Sequence, residues 1–340
     1  MEHRRWTISM VLAMSTVFLL SFSPAIAQTK PIELTYSNQF MASHQMAVLA
    51  KKWGDEIEKR TEGRVKITLF PGGTLTPAAA IYDGVVKGIS DIGMSFTGFT
   101  KGRFPLMEVI DLPLVYKSGL GATRLINELY EKFKPKEFDD VKIMYLHAHG
   151  PGFIHTNKPV NKLEDLKGMK IRSTGTSAKI ITALGATPVA MPMGETYDAI
   201  RRGIADGTVA PYETLEQWKV GEVIKYTTED FGSAYSSAAF VVMNKGKWNA
   251  LPADIQQIIE QINKEWIVPT GKLWDEIDKS GKEYTLKRGN KVITLSKAED
   301  ARWARATQPV LDDYVKYAQE KGVPGGEALK FCLERLKQLQ

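Results

Sequence analysis

A ten-residue unit occurs twice in this chain, once in each half. Residues 82–91 read YDGVVKGISD and residues 197–206 read YDAIRRGIAD, with Tyr, Asp, Gly, Ile and Asp at matching places. Each copy has the form of a helix end, a glycine stop at Gly88 or Gly203, and a turn into a strand. A repeated αβ unit favours two lobes of related local architecture. In open α/β sheets a ligand sits beyond the carboxyl ends of the strands, so two such lobes facing each other make a cleft.

Around these units strand and helix patterns alternate, which argues for parallel α/β sheets. Residues 32–36, 65–70, 91–96, 141–147, 153–156, 169–171 and 238–243 read as strands. One helix is expected with Met46, Leu49, Ala50, Trp53 and Ile57 on a face. A second is expected from Thr76 as N-cap and Pro77 in its first turn to about Lys87. Residues 122–133 give a third, and residues 111–116 a Pro-interrupted apolar segment. From Pro252 onward the chain reads as mostly helical. Trp266, Trp274 and Trp303 are expected in its core, and Ser296 to Glu299 forms a capping-box pattern.

The first 27 residues read as a secretory signal. His3, Arg4 and Arg5 are basic, Trp6 to Phe22 is largely apolar, and Ala25-Ile26-Ala27 is a cleavage site. The remaining 28–340 contains no apolar run of about 18 residues, so no membrane span is expected there. Its net charge is mild and scattered, without a basic run interleaved with aromatics, so a nucleic-acid partner is not expected. Cys332 is the only cysteine, so no internal disulfide can form. Secreted and disulfide-free, the chain suits a bacterial periplasm.

No G-x-S-x-G, H-E-x-x-H, G-x-x-x-x-G-K-[ST] or G-x-G-x-x-G motif occurs. His147, His149 and His155 lack the spacing and carboxylates of a metal site. No metal, cofactor or catalytic residue is therefore expected, and a binder is favoured over an enzyme. Residues 166–211 carry the alternative chemistry. A short strand delivers Arg172 at its end, a polar turn at 173–177 follows, and a helix opens with Ala178, Ile181 and Leu184 on one face. Arg presents a planar fork that grips a carboxylate through two bonds. The turn and helix N-terminus are expected to add free N–H groups and a positive dipole end.

The runs LKGMKIR at 166–172 and ALGATPVAMPMGETYDAIRRGIADG at 183–207 resemble the extracytoplasmic solute receptors of TRAP transporters, over nearly the whole mature chain. The resemblance implies a two-lobe periplasmic binding protein fold of α/β class, type II-like, with hinge strands and a long bridging helix. Lobe I would comprise 28–149 and 238–277, and lobe II 150–237 and 278–340. It also implies closure around a small organic acid and handover to a small and a large membrane subunit, powered by an ion gradient. The family's carboxylate-binding arginine matches Arg172. A monomer is expected.

Three positions depart from the sialic-acid branch of that family. Gly152-Phe153 stands where that branch has a second arginine, Ala210 where it has an asparagine, and Pro77-Ala78 where it has acidic residues. A sugar acid would leave hydroxyls unpaired here, at about 1–3 kcal/mol each. The pocket should favour one carboxylate on an aromatic or otherwise apolar body. Phe40, Phe96, Phe153 and Tyr212 are aromatic candidates for its wall, Tyr212 foremost, and Met193 takes the place of an aromatic in the sialic-acid branch. Thr174 is expected to assist Arg172. Glu213 and Trp218 are weaker candidates, and Asn38 and Ser95 are polar candidates from the opposite lobe. A short aliphatic oxo or hydroxy acid, or a role as ligand-loaded partner of a sensor, is the alternative.

Overall fold

The computed structural model describes residues 30–340, and the expected signal, residues 1–27, lies outside the described residues. In chain order come β1 (Ile32–Asn38), α1 (Gln45–Arg60), β2 (Val65–Phe70), α2 (Ile81–Val86), β3 (Ile92–Phe96), α3 (Gly119–Phe133) and β4 (Val141–Ala148). Then follow β5 (Phe153–Thr156), β6 (Lys170–Ser173), α4 (Thr176–Ala183), β7 (Thr187–Ala190), α5 (Met193–Arg201), β8 (Gly207–Ala210), α6 (Glu213–Gln217) and β9 (Tyr226–Glu229). The chain continues through β10 (Ala238–Asn244), α7 (Lys245–Asn249), α8 (Ala253–Lys287), β11 (Lys291–Thr294), α9 (Lys297–Glu320) and α10 (Gly325–Leu339).

The strands form two sheets, ordered β2-β1-β3-β10-β4 and β11-β9-β5-β8-β6-β7. Both are mixed rather than purely parallel. The β1, β2 and β3 strands pair in parallel, as do β6, β7 and β8. By contrast β10 is antiparallel to β3 and β4, and β5 to β8 and β9. The reversals follow from the path: the chain crosses between sheets at 149–152 and again at 234–237, so the strand after each crossing enters its sheet against the parallel set. Gly152 and Tyr235 bridge these two crossings. A Cβ at Gly152 would stand 2.1 Å from the Tyr235 ring, so only glycine lets them meet.

The 35-residue α8 spans both sheets. Ile255, Ile259 and Ile262 pack into the core with Leu34, Tyr36 and Trp53, and Asp275 accepts the N–H groups of Gly119 and Leu120 at the start of α3. Further on, Asp278 accepts the Glu213 N–H, and Ser280 bonds Glu216. The two-lobe α/β arrangement with crossing strands and a long bridging helix is thus the one observed. Trp274 and Trp303 are fully buried, whereas Trp266 is half-buried. The last helix lies on α3, with Arg335 paired to Glu128.

Local sequence readings miss in three places. Thr76 does not cap a helix: its hydroxyl bonds Ser37 Oγ at 2.6 Å, and a 3-10 turn at 78–80 precedes the short α2. Ser296 accepts the Glu299 N–H as expected, but Glu299 does not reciprocate. Its carboxylate takes the Leu163 N–H, Arg302 and Trp303 instead. The strand β11 interrupts the helical C-terminal stretch by pairing with β9.

Candidate functional site

A cavity of about 490 Å³ lies between the two sheets. Its wall comes from the segments that follow the carboxyl ends of β1, β2 and β3 on one side and of β6, β7 and β8 on the other. His149, Tyr235 and Ser237 reach it from the two crossings. The parallel strands therefore aim their open ends at one space, as open α/β sheets do.

Arg172 stands at the end of β6, and Ile171 and Ser173 flank it on the buried strand. The side chain is only 4% exposed and lines the cavity. Its Nε donates to the Met191 carbonyl at 3.0 Å, which fixes the fork. Among the described residues no carboxylate lies within salt-bridge distance of it. Burial pushes its pKa down to about 10, so it remains a cation at neutral pH. A desolvated cation without a counter-charge is costly, and an anion supplied from solution relieves that cost.

Beside it, Thr174 also lines the cavity. Its N–H is not free, because Ser177 Oγ accepts it at 3.0 Å while donating back to the Thr174 carbonyl at 2.7 Å. Gly175 has φ +53° and comes against Gly98, whose Cα lies 3.3 Å from where a Gly175 Cβ would sit. Two glycines thereby let the β6 turn close onto the loop after β3.

The opposite wall is aromatic. Phe40 stacks on His44 at 4.2 Å and meets Phe96, Trp218 and Trp274 at 6.0–6.2 Å between centroids. Phe96 in turn contacts Phe99 and His149. Met193, at the start of α5, lines the cavity as well. Glu213 is buried at its edge and takes a hydrogen bond from His44 at 3.1 Å. The His44 tautomer is set by its other nitrogen, Nδ1, which caps α1 by accepting the Met46 N–H. The Gln45 N–H, at the start of α1, donates to Gln217 Oε1 at the end of α6, and Glu108 meets Thr176 and Lys179 elsewhere.

Seven of the expected residues thus meet in one cavity: Arg172, Thr174, Met193, Phe40, Phe96, Glu213 and Trp218. Four do not. The Tyr212 ring turns away, its hydroxyl donating to Glu229 at 3.0 Å, and Phe153 packs against Tyr212 and Phe231. Asn38 uses its side-chain oxygen to hold the Phe40 N–H, and the Ser95 hydroxyl donates to the Ala78 carbonyl. Asp111, His149 and Tyr235 line the cavity without having been singled out for it. Asp111 lay in the Pro-interrupted segment, and no period marks which of its side chains face inward.

A model of the bacterial extracellular solute-binding proteins, family 7, matches residues 36–317. A TRAP periplasmic solute-binding protein from Desulfovibrio salexigens DSM2638 is 34% identical, with a TM-score of 0.81 over 91% of this chain and 97% of that one. One from Bordetella bronchiseptica, with bound (R)- and (S)-mandelate, is 29% identical, with a TM-score of 0.85 over 91% and 100%. One from Rhodoferax ferrireducens T118, in complex with copurified benzoate, is 27% identical, with a TM-score of 0.85 over 91% and 98%. Among the described residues no helix is long and apolar enough to cross a membrane. Two sheets opening on one cavity, an Arg at the end of β6 and a family match across most of its length have one conclusion: the chain belongs to the family-7 bacterial extracellular solute-binding proteins, the periplasmic receptors of TRAP transporters.

Proposed function

We propose that this receptor binds a monocarboxylate with an aromatic or otherwise apolar body and delivers it to the membrane subunits of a TRAP transporter. The observation that carries the reading is Arg172, a buried guanidinium facing a cavity with no acidic partner among the described residues. Its two terminal nitrogens match the two oxygens of a carboxylate. Phe40, Phe96, Phe99, Met193 and Trp218 offer the body of the ligand an apolar wall. Covering about 150 Å² of an aromatic ring there contributes roughly 4 kcal/mol. Mandelate and benzoate, held by the two relatives above, have this chemistry.

Closure follows from the same geometry. With lobes at 28–149 plus 238–277 and 150–237 plus 278–340, the His44–Glu213 and Glu108–Thr176 bonds join one lobe to the other. A ligand filling the closed cavity displaces its water, and the ion pair strengthens in the lower dielectric. We read the receptor as a periplasmic monomer.

A thermal-shift screen separates this reading from its rival. At a concentration a hundred times its Kd, a ligand stabilises the folded form by about 2.7 kcal/mol. Benzoate, phenylacetate and mandelate should raise Tm, whereas pyruvate, lactate and succinate should not. A screen in which only the short aliphatic acids raise Tm contradicts the proposal.

A further inference from the structure

We propose that Asp111 is a second specificity-determining pole of the cavity, reading a hydroxyl on the body of the carboxylate ligand. This deepens the proposed function and rests on it. Asp111 is buried and lines the cavity. Its Oδ1 accepts the Ala238 N–H at 2.7 Å, at the point where the second crossing becomes β10. That bond fixes the carboxyl group against the crossing. The other oxygen, Oδ2, has no protein partner among the described residues and lies 3.5 Å from where a Cβ on Gly98 would stand. A larger residue at 98 would crowd this oxygen. No salt bridge among the described residues joins it to Arg172, and the two groups come from different sides of the cavity.

A second acceptor shares the cavity. His149 Nδ1 is engaged with the Gly150 carbonyl at 2.5 Å, which makes it the N–H donor and leaves Nε2 a lone-pair acceptor. Burial pushes the His149 pKa down to about 4, so the ring stays neutral. Buried acceptors left without a donor are costly, and a ligand that brings the donor is preferred over one that lacks it. A hydroxyl suits the Asp111 group best. Burial raises the Asp111 carboxyl above the usual carboxylate range, and the geometry leaves Oδ2 an acceptor with no donor. A hydroxyl brings that donor. A ligand ammonium would share the cavity with the Arg172 cation, and a second ligand carboxylate brings no proton for the free Asp111 oxygen to accept.

Calorimetric titration of the mature chain with benzoate, 3-hydroxybenzoate and 4-hydroxybenzoate tests the assignment. In the wild type at least one hydroxylated acid should bind ten times more tightly than benzoate. Asp111→Asn keeps the acceptor for the Ala238 N–H but puts an NH2 in place of Oδ2. It should cut that preference to below threefold, read as the ratio of the two affinities in the same preparation. Asp111→Ser, which withdraws from the ligand, should do the same and serves if the first variant does not fold. Wild type without a hydroxyl preference, or a preference unchanged in a folded Asp111 variant, overturns the proposal while the Arg172 reading stands. Failure of all three acids to bind the wild type overturns the Arg172 reading, and this one with it.

Discussion

Replacing Arg172 by methionine should weaken binding and strengthen the ligand-free fold at the same time. The guanidinium is buried, and its pKa falls from 12.5 to about 10. Holding the charge inside the fold therefore costs about 3 kcal/mol at neutral pH. The sign follows from linkage: the folded state binds the proton less readily than the unfolded chain. The penalty is fully present below about pH 10 and disappears only as the pH passes the unfolded value. Cavity water makes 3 kcal/mol an upper limit, and methionine loses the bond to the Met191 carbonyl, worth about 1 kcal/mol. A net gain of roughly 1–2 kcal/mol remains, or about 2–4 °C in Tm. Binding moves the other way. Truncating one partner of a buried charge pair costs about 2–5 kcal/mol, which is about 30- to 5,000-fold in Kd. Calorimetry reads both quantities from one preparation. A variant that melts lower and binds benzoate as tightly as wild type would refute the reasoning, because Arg172 would then be a structural strut.

Gly152→Ala would place a Cβ 2.1 Å from the Tyr235 ring at the paired crossings; the overpacking should cost about 1–3 kcal/mol, read as a lower urea midpoint. His44→Ala removes the bond to Glu213 and the α1 cap together; about tenfold weaker benzoate binding is expected, mostly through faster dissociation in stopped-flow. Asp230 is buried with one oxygen unpartnered, and burial raises its pKa to about 8. The native state thus holds a proton that the unfolded chain releases, so this acid makes stability fall as pH rises from about 4 to about 8. Asp230→Asn should then raise Tm by several degrees at pH 8, roughly 2 °C per kcal/mol, and leave it nearly unchanged below about pH 4.

Much of this architecture was legible because apolar periodicity survives where an element is long or buried on one face. The strands β1 to β6 and β10, the α1 face and the buried Trp274 and Trp303 followed from it. The short strands β9 (YTTE) and β11 (KVIT) carry too few apolar residues to show a period. Arg172 was legible because strand, cation, small turn and helix start are contiguous. The direction of neighbouring side chains was not. Tyr212 is in αR conformation at the start of α6, so the chain has begun to turn, and Glu213 rather than Tyr212 meets the cavity. Asn38 and Ser95 are polar residues at strand ends whose local backbone partners take them first. The His44–Glu213 bond joins residues 169 apart, and no local signal predicts such a pairing.

The most direct test is a crystal structure of the mature protein with benzoate. The carboxylate should sit on Arg172, both oxygens at about 2.7–2.9 Å from the guanidinium nitrogens, with the ring against Phe40 and Phe96. A complex with benzoate bound elsewhere, and Arg172 touching only the Met191 carbonyl, would contradict the account.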